Sequence, residues 1–180
     1  MYSMSAMNRK WYLDSHFSHR LVLEDRLIYL HFQTDFTNKH RISKNDLVDR
    51  ALTDRSYKNV KHNLTDNDIN DELATYGDAV IKLCYCNLLW EENVLNLTIA
   101  KEELECDKTL VNKVANHYEL IDYIDRDKND KNMPDNYEYD GDRYKYIATA
   151  VEAMIGAIYL DIGNKELDKI TKLLDSWRSF

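Results

Sequence analysis

Two carboxylates stand where helices ordinarily bury apolar side chains. Glu152 lies in the run Ile147–Leu160, which is apolar almost all round and therefore reads as a buried central helix. Asp78 sits between Gly77 and Ala79-Val80-Ile81, an equally apolar neighbourhood. An ionised carboxylate in such a place costs several kcal/mol unless it is paired or binds a metal. Lys145, Thr149, Glu152 and Gly156 follow i, i+4, i+7, i+11 and so form one helical stripe. Asp71, seven residues before Asp78, shares that residue's face. Gly77 and Gly156 are two of only four glycines, and both interrupt helices at a cost of roughly 1 kcal/mol each relative to Ala. Glycine inside a helix lets another backbone approach closely. The two helices are therefore expected to cross and to bring Asp78 and Glu152 together. Such a pair repels unless a divalent cation holds it. Physics alone leaves two readings open, a metal site and an ion-pair network built on Glu152–Lys145.

The elements that must position these groups are helical. A chain of 180 residues with 44% hydrophobic composition makes about one domain with a full core. One Pro and four Gly argue against a disordered, collagen-like or turn-rich β chain. The spacing predicts a short helix and turn over Leu47–Tyr57 and a helix over Asp68–Trp90 with Leu73, Tyr76, Val80, Ile81, Cys84 and Leu88 inward. A third helix, capped by Thr98, should run to about His117 with Leu104, Leu110, Val111 and Val114 inward. Tyr144–Leu160 and Lys165–Trp177 follow. The acid-rich segment Asp122–Asp142, with Pro134 and Gly141, reads as a loop. No alternating strand stands out, so the fold class is all-α.

Composition also excludes. No apolar run reaches the roughly 20 residues of a membrane span, and Arg9, Lys10, Asp14 and Arg20 interrupt any leader-like core. The expectation is a soluble cytoplasmic domain. Cys84, Cys86 and Cys106 are an odd number and are expected as free core thiols, and their spacing gives no zinc site. The net charge of −8 is unevenly spread: residues 1–64 hold 11 Lys+Arg against 7 Asp+Glu, and residues 65–180 hold 13 against 25. A basic lobe beside an acidic body suits a protein that grips phosphates and offers carboxylates to a metal, though a solvated surface of uneven charge reads the same way.

The same residues carry a family resemblance. Leu52-Thr53-Asp54-Arg55-Ser56-Tyr57 resembles the "ALTHRSY" segment of ribonuclease III. Asn70-Asp71-Glu72-Leu73-Ala74-Thr75-Tyr76-Gly77-Asp78 resembles that family's N-E-R-L-E-F-L-G-D motif, and Ile147–Leu160 resembles its second metal-binding helix, "LADAFEALIGAIYLD". The three segments keep the family's order and cover roughly residues 45–165. The resemblance implies an all-helical endonuclease domain, a homodimer that cuts double-stranded RNA with Mg²⁺ (Mn²⁺ substituting), and no membrane or organic cofactor. Of the family's four carboxylates, Asp78 and Glu152 match, whereas Ala74 and Thr149 replace the other two. Lys145 falls where Dicer-type domains have an active-site lysine, and Asp71 keeps an acid at the motif's first Glu. The compact Mini-III branch, with "ALAYIGDA" and "YSTAFEALLGYLFL", shows the same paired replacement.

The resemblance thus implies catalysis by Asp78, Glu152 and Lys145, metal binding by Asp78 and Glu152, and support from Asp71 and Thr149. RNA contact is expected from Arg50, Arg55, Lys58 and Lys61, with Arg41 and Lys44 as further candidates. Residues 1–40 are expected as an extension packed on a catalytic domain of residues 41–180. Processing of RNA, including ribosomal RNA, is the expected role. The alternatives are an inactive RNA-binding or ribosome-associated dimer, and an inhibitory partner of an active homologue.

Overall fold

The computed structural model describes residues 45–127, 144–163 and 167–180, which all fall in one compact unit, Ile42–Phe180. The N-terminal extension, Arg41, Lys44 and most of the acidic segment lie outside the described residues. Five principal helices form the bundle: α1 (Asn45–Ala51), α2 (Asp71–Glu91), α3 (Leu97–Glu105), α4 (Lys145–Ile162) and α5 (Leu167–Trp177). Short 3₁₀ turns at Arg55–Asn59, Asp66–Asp68 and Leu120–Tyr123 connect them. Among the described residues the only β pairing is an isolated parallel bridge between Thr53 and Asp125.

Helix α4 is the axis of the core, as its apolar sequence demands. Ile147, Ala148, Ala150, Val151, Ala153, Met154, Ile155, Ala157 and Ile158 are all buried. Its alanines keep the surface shallow, so α2, α1, α5 and the turn Leu110–Ala115 all reach it. Helix α2 turns Leu73, Ala74, Gly77, Val80, Ile81, Cys84, Tyr85 and Leu89 inward. The fully buried Tyr85 hydroxyl donates to the Leu174 carbonyl at 3.3 Å, and the Trp177 indole donates to the Tyr118 hydroxyl at 3.3 Å. These two bonds satisfy the polar ends of large core residues where α5 closes the bundle.

Four expectations need correction. The helix expected from Thr98 to His117 is broken at Cys106, whose ψ of 150° is extended. Thr109 Oγ1 turns back to the Glu103 carbonyl at 2.7 Å, and a π-helical turn, Leu110–Ala115, follows. Nor does Thr98 cap: α3 starts at Leu97 after Asn96, which takes the left-handed conformation that Asn tolerates well. Tyr76 points outward, half exposed and stacked on Tyr159 with centroids 6.0 Å apart. The three cysteines are free, but only Cys84 is buried, while Cys106 is exposed.

Candidate active site at the α2–α4 crossing

Gly77 and Gly156 let α2 and α4 meet backbone to backbone. A Cβ on Gly77 would lie 1.7 Å from the Glu152 carbonyl oxygen and 2.9 Å from the Gly156 nitrogen. A Cβ on Gly156 would lie 2.1 Å from the Leu73 carbonyl oxygen. The residues flanking this contact are Asp78 on α2 and Glu152 on α4, each half-buried at the rim of the crossing. The Glu152 carboxyl is pushed up to about 7, first by burial, then by the Asp78 charge and by Asp107, with Lys82 and Lys145 acting weakly the other way. Like charge and desolvation are what a divalent cation relieves.

The other members are spread along the two helices. Thr149 is half-buried one turn before Glu152, and Ala74 is buried one turn before Asp78. Lys145 is exposed at the first residue of α4, and no ion pair within 4 Å joins it to Glu152. The expected Glu152–Lys145 pair is therefore not a direct contact, and Lys145 acts on Glu152 through its charge alone. Asp71 lies about 10 Å along the α2 axis from Asp78, at 1.5 Å per residue, too far to ligate the same ion. It accepts from Arg55 instead, and that bond is the main reason the Arg55 guanidinium is held above its ordinary range.

The residues expected to grip RNA are mostly engaged with carboxylates of the chain itself. Arg55 pairs with Asp71, Lys58 with Asp66, and Arg50 with Glu72. Lys61 is exposed. Arg50 is the most structural of the four, because its Nε also donates to the Ile69 carbonyl at 3.0 Å and so ties α1 to the entry of α2. Arg50→Ala is expected to cost about 1–2 kcal/mol, the value of a charge-assisted bond to a carbonyl with a half-exposed ion pair added. Urea denaturation measures it, and an unchanged midpoint would contradict the tie.

Sequence reasoning missed Lys82. Its ammonium donates to Asp78 Oδ2 at 2.7 Å, one turn along α2. The i, i+4 spacing from Asp78 was the available signal.

The donor set bears on which ion fits. Among the described residues no three His, Cys, Asp or Glu side chains converge as a metal cluster. Two carboxylates beside a hydroxyl fit Mg²⁺, which keeps several waters and uses one or two protein carboxylates.

With the site in place, the class is defined by comparison: a model of the ribonuclease-III-like family matches residues 44–175. The chain belongs to that family, and the described bundle is its endonuclease domain. Ribonuclease 3 of Shewanella piezotolerans is 32% identical over 143 residues, covering 77% of this chain and 56% of that protein. Ribonuclease 3 of Clostridium kluyveri is 32% identical over 133 residues, covering 69% and 50%. The chain thus spans about half the length of these relatives. A solved structure of the ribonuclease III nuclease domain from Campylobacter jejuni, described for flexibility in its region of dimer formation, superposes with a TM-score of 0.58. It is 22% identical and covers 84% of this chain and 92% of that one, which supports the fold alone.

Proposed function

We propose that the chain is a Mg²⁺-dependent endoribonuclease that cleaves double-stranded RNA as a cytoplasmic homodimer, in RNA processing that includes ribosomal RNA. The observation that carries this reading is the convergence of Asp78 and Glu152 at the glycine crossing, with the Glu152 carboxyl raised first by burial and then by its neighbour's charge. Asp78 and Glu152 would hold the ion, and Mn²⁺ can take its place. When bound, the ion supplies a water of lowered pKa and polarises the scissile phosphate. Thr149 offers a hydroxyl beside Glu152 to orient water, and Lys145 offers positive charge to phosphate oxygens. Asp71 acts at a distance, by fixing Arg55. Recognition of an A-form duplex rests on shape, 2′-hydroxyls and phosphates rather than on base sequence.

The homodimer is supported by the outer face of α2. Tyr76, Leu83 and Trp90, seven residues apart, are exposed there by 51%, 49% and 76%. A repeated apolar stripe of this kind suits an isologous contact with a second copy. Light scattering at micromolar concentration is expected to give twice the monomer mass, and Leu83→Glu to shift it toward the monomer. A wild-type monomer would contradict the pairing.

The test of the activity is incubation with long double-stranded RNA in Mg²⁺, beside EDTA and the Asp78→Asn variant. Cleavage by the wild type in Mg²⁺ alone supports the reading. Intact RNA with a shifted band in Mg²⁺ and Mn²⁺ favours the inactive RNA-binding dimer, the reading that Ala74 and Thr149 at two acid positions support. With two direct carboxylates, the half-maximal Mg²⁺ concentration is expected to be about tenfold above that of a four-acid relative, since ligand charge tunes affinity. A parallel titration of both enzymes checks it, and equal values would rule it out.

A further inference from the structure

Lys82 is not needed for the fold. Its side chain is 47% exposed and that of Asp78 is 39% exposed, and an exposed i, i+4 pair adds only a few tenths of a kcal/mol to a helix. Its position is nonetheless specific. The ammonium is anchored on an oxygen of a carboxylate that the proposed reaction uses, and Glu152 and Glu105 lie within electrostatic range of it. Lys145, by contrast, is exposed at the start of α4 and acts on Glu152 only through its charge. The cation held against the acid pair is therefore Lys82.

The charge of the crossing makes this matter. With Ala74 and Thr149 at two of the positions that are acids elsewhere in the family, the pair Asp78–Glu152 offers at most two negative charges, and Lys82 already pairs with Asp78. A scissile phosphodiester brings a further negative charge. The divalent ion meets part of that charge, and an ammonium already held beside the carboxylates has only a short distance to move to meet the rest. A four-carbon stem rooted on the rigid, buried-faced α2 lets the ammonium swing from Asp78 Oδ2 to a neighbouring oxygen without moving the backbone.

The geometry points to Lys82 as a phosphate-binding residue of the active site: its ammonium rests on Asp78 until RNA and the divalent ion arrive, then transfers to an oxygen of the RNA backbone at the scissile position. Lys82 is thus both a competitor for Asp78 in the empty site and a ligand of the substrate in the filled one. This inference rests on the nuclease reading of the same site, so its test separates the two.

The test compares wild type with Lys82→Met, which keeps the stem and removes the charge, and with Lys82→Arg. Binding of a defined RNA duplex is measured in Ca²⁺ across a range of KCl concentrations, so that affinity is read apart from cleavage. One lost phosphate contact should make the slope of log K against log salt shallower by roughly one in Lys82→Met, and Lys82→Arg should restore it. Mn²⁺ titration without RNA, followed by electron paramagnetic resonance, should show Lys82→Met binding the ion several-fold more tightly, because Asp78 has lost its competitor. Single-turnover cleavage in Mg²⁺ should fall at least tenfold in the same variant. Tighter metal with slower cutting is a combination that a merely structural pair would not give. A salt slope and Mn²⁺ affinity unchanged in Lys82→Met would overturn the assignment. If the wild type binds RNA without cutting it, the nuclease reading fails while the salt slope still judges Lys82. If the wild type binds no duplex RNA, both fail.

Discussion

Alanine at Gly77 is expected to cost the domain at least about 3 kcal/mol and to leave much of it unfolded. Helix propensity argues the other way, since Ala is favoured over Gly inside a helix by about 1 kcal/mol. The clash decides the sign. The new Cβ would sit 1.7 Å from the Glu152 carbonyl oxygen, 2.6 Å from its carbon and 2.9 Å from the Gly156 nitrogen. All three are backbone atoms, so no rotamer change relieves the contact, and α2 and α4 must move apart by more than 1.5 Å. Separation would open the core around α4, where Ile147, Ala150 and Ala153 have no exposure. Overpacking of a core with mobile side chains costs about 1–3 kcal/mol, and a clash between rigid helices falls at or above that range. Against a total stability of about 5–15 kcal/mol, that loss is large. Gly156→Ala should behave alike, given its 2.1 Å approach to the Leu73 carbonyl, and the double variant should be less than additive because both force the same separation of α2 and α4. Ala79→Gly, on the exposed face of the same helix, is the control and should cost only about 1 kcal/mol. Thermal and urea unfolding followed by circular dichroism measures all four. A Gly77→Ala protein that melts within a few degrees of wild type would mean that the helices do not approach this closely.

The glycines were legible because they contradict their surroundings. In a helix as apolar as Ile147–Leu160, a Gly at 156 is justified only by close approach of another chain segment, and Gly77 needed a partner of the same kind. The misplaced acids beside them were legible for the same reason. The central position of α4 followed from the width of its apolar surface. A local rule broken twice, on two helices, carried more information than any rule kept.

The rest depended on energies that spacing does not encode. Nothing in Leu104-Glu105-Cys106-Asp107 announces a helix break, since no Pro or Gly is present; the break is set by Thr109 turning back on Glu103 and by the demand that Leu110, Val111 and Val114 pack inward. Tyr76 fits an inward period as well as an outward one, and only the α4 surface decides that Gly77 and Val80 face it instead. The basic residues of the RNA-gripping segment look available in the sequence because their acids, Asp66, Asp71 and Glu72, lie up to 22 positions away. Lys82 was hidden by the opposite error. An i, i+4 Asp–Lys pair is so ordinary on a helix surface that it draws no notice, until the same carboxylate is seen to sit at the crossing.

Replacing Glu152 by Gln is expected to abolish cleavage and, in the metal-free protein, to raise stability. The Glu152 carboxyl stands at about 7 in the folded domain against 4.5 for an unperturbed Glu. A raised value means that the folded state holds the proton more tightly than the unfolded chain does. Stability from this group is therefore full below about 4.5, is lost as pH rises to about 7, and is flat above. The whole difference corresponds to roughly 3 kcal/mol, and solvent at a half-exposed carboxylate reduces it to about 1–2 kcal/mol. Gln carries no charge at any pH and escapes that loss. In EDTA at pH 8, Glu152→Gln should accordingly melt about 3–6 °C above wild type, given the size of this domain. At pH 4.5 the two should melt together. Mg²⁺ should stabilise the wild type and leave the variant unmoved, because only the wild type keeps the second carboxylate for the ion. Cleavage should fall by at least about 100-fold in the variant, as expected when a site with two direct carboxylates loses one. A variant that melts below wild type in EDTA at pH 8 would show that Glu152 is paired rather than repelled. A variant that cuts RNA within tenfold of wild type would remove Glu152 from the metal site. The two readouts move in opposite directions only if the carboxylate is kept at the crossing, against the stability of the fold, for the ion it binds.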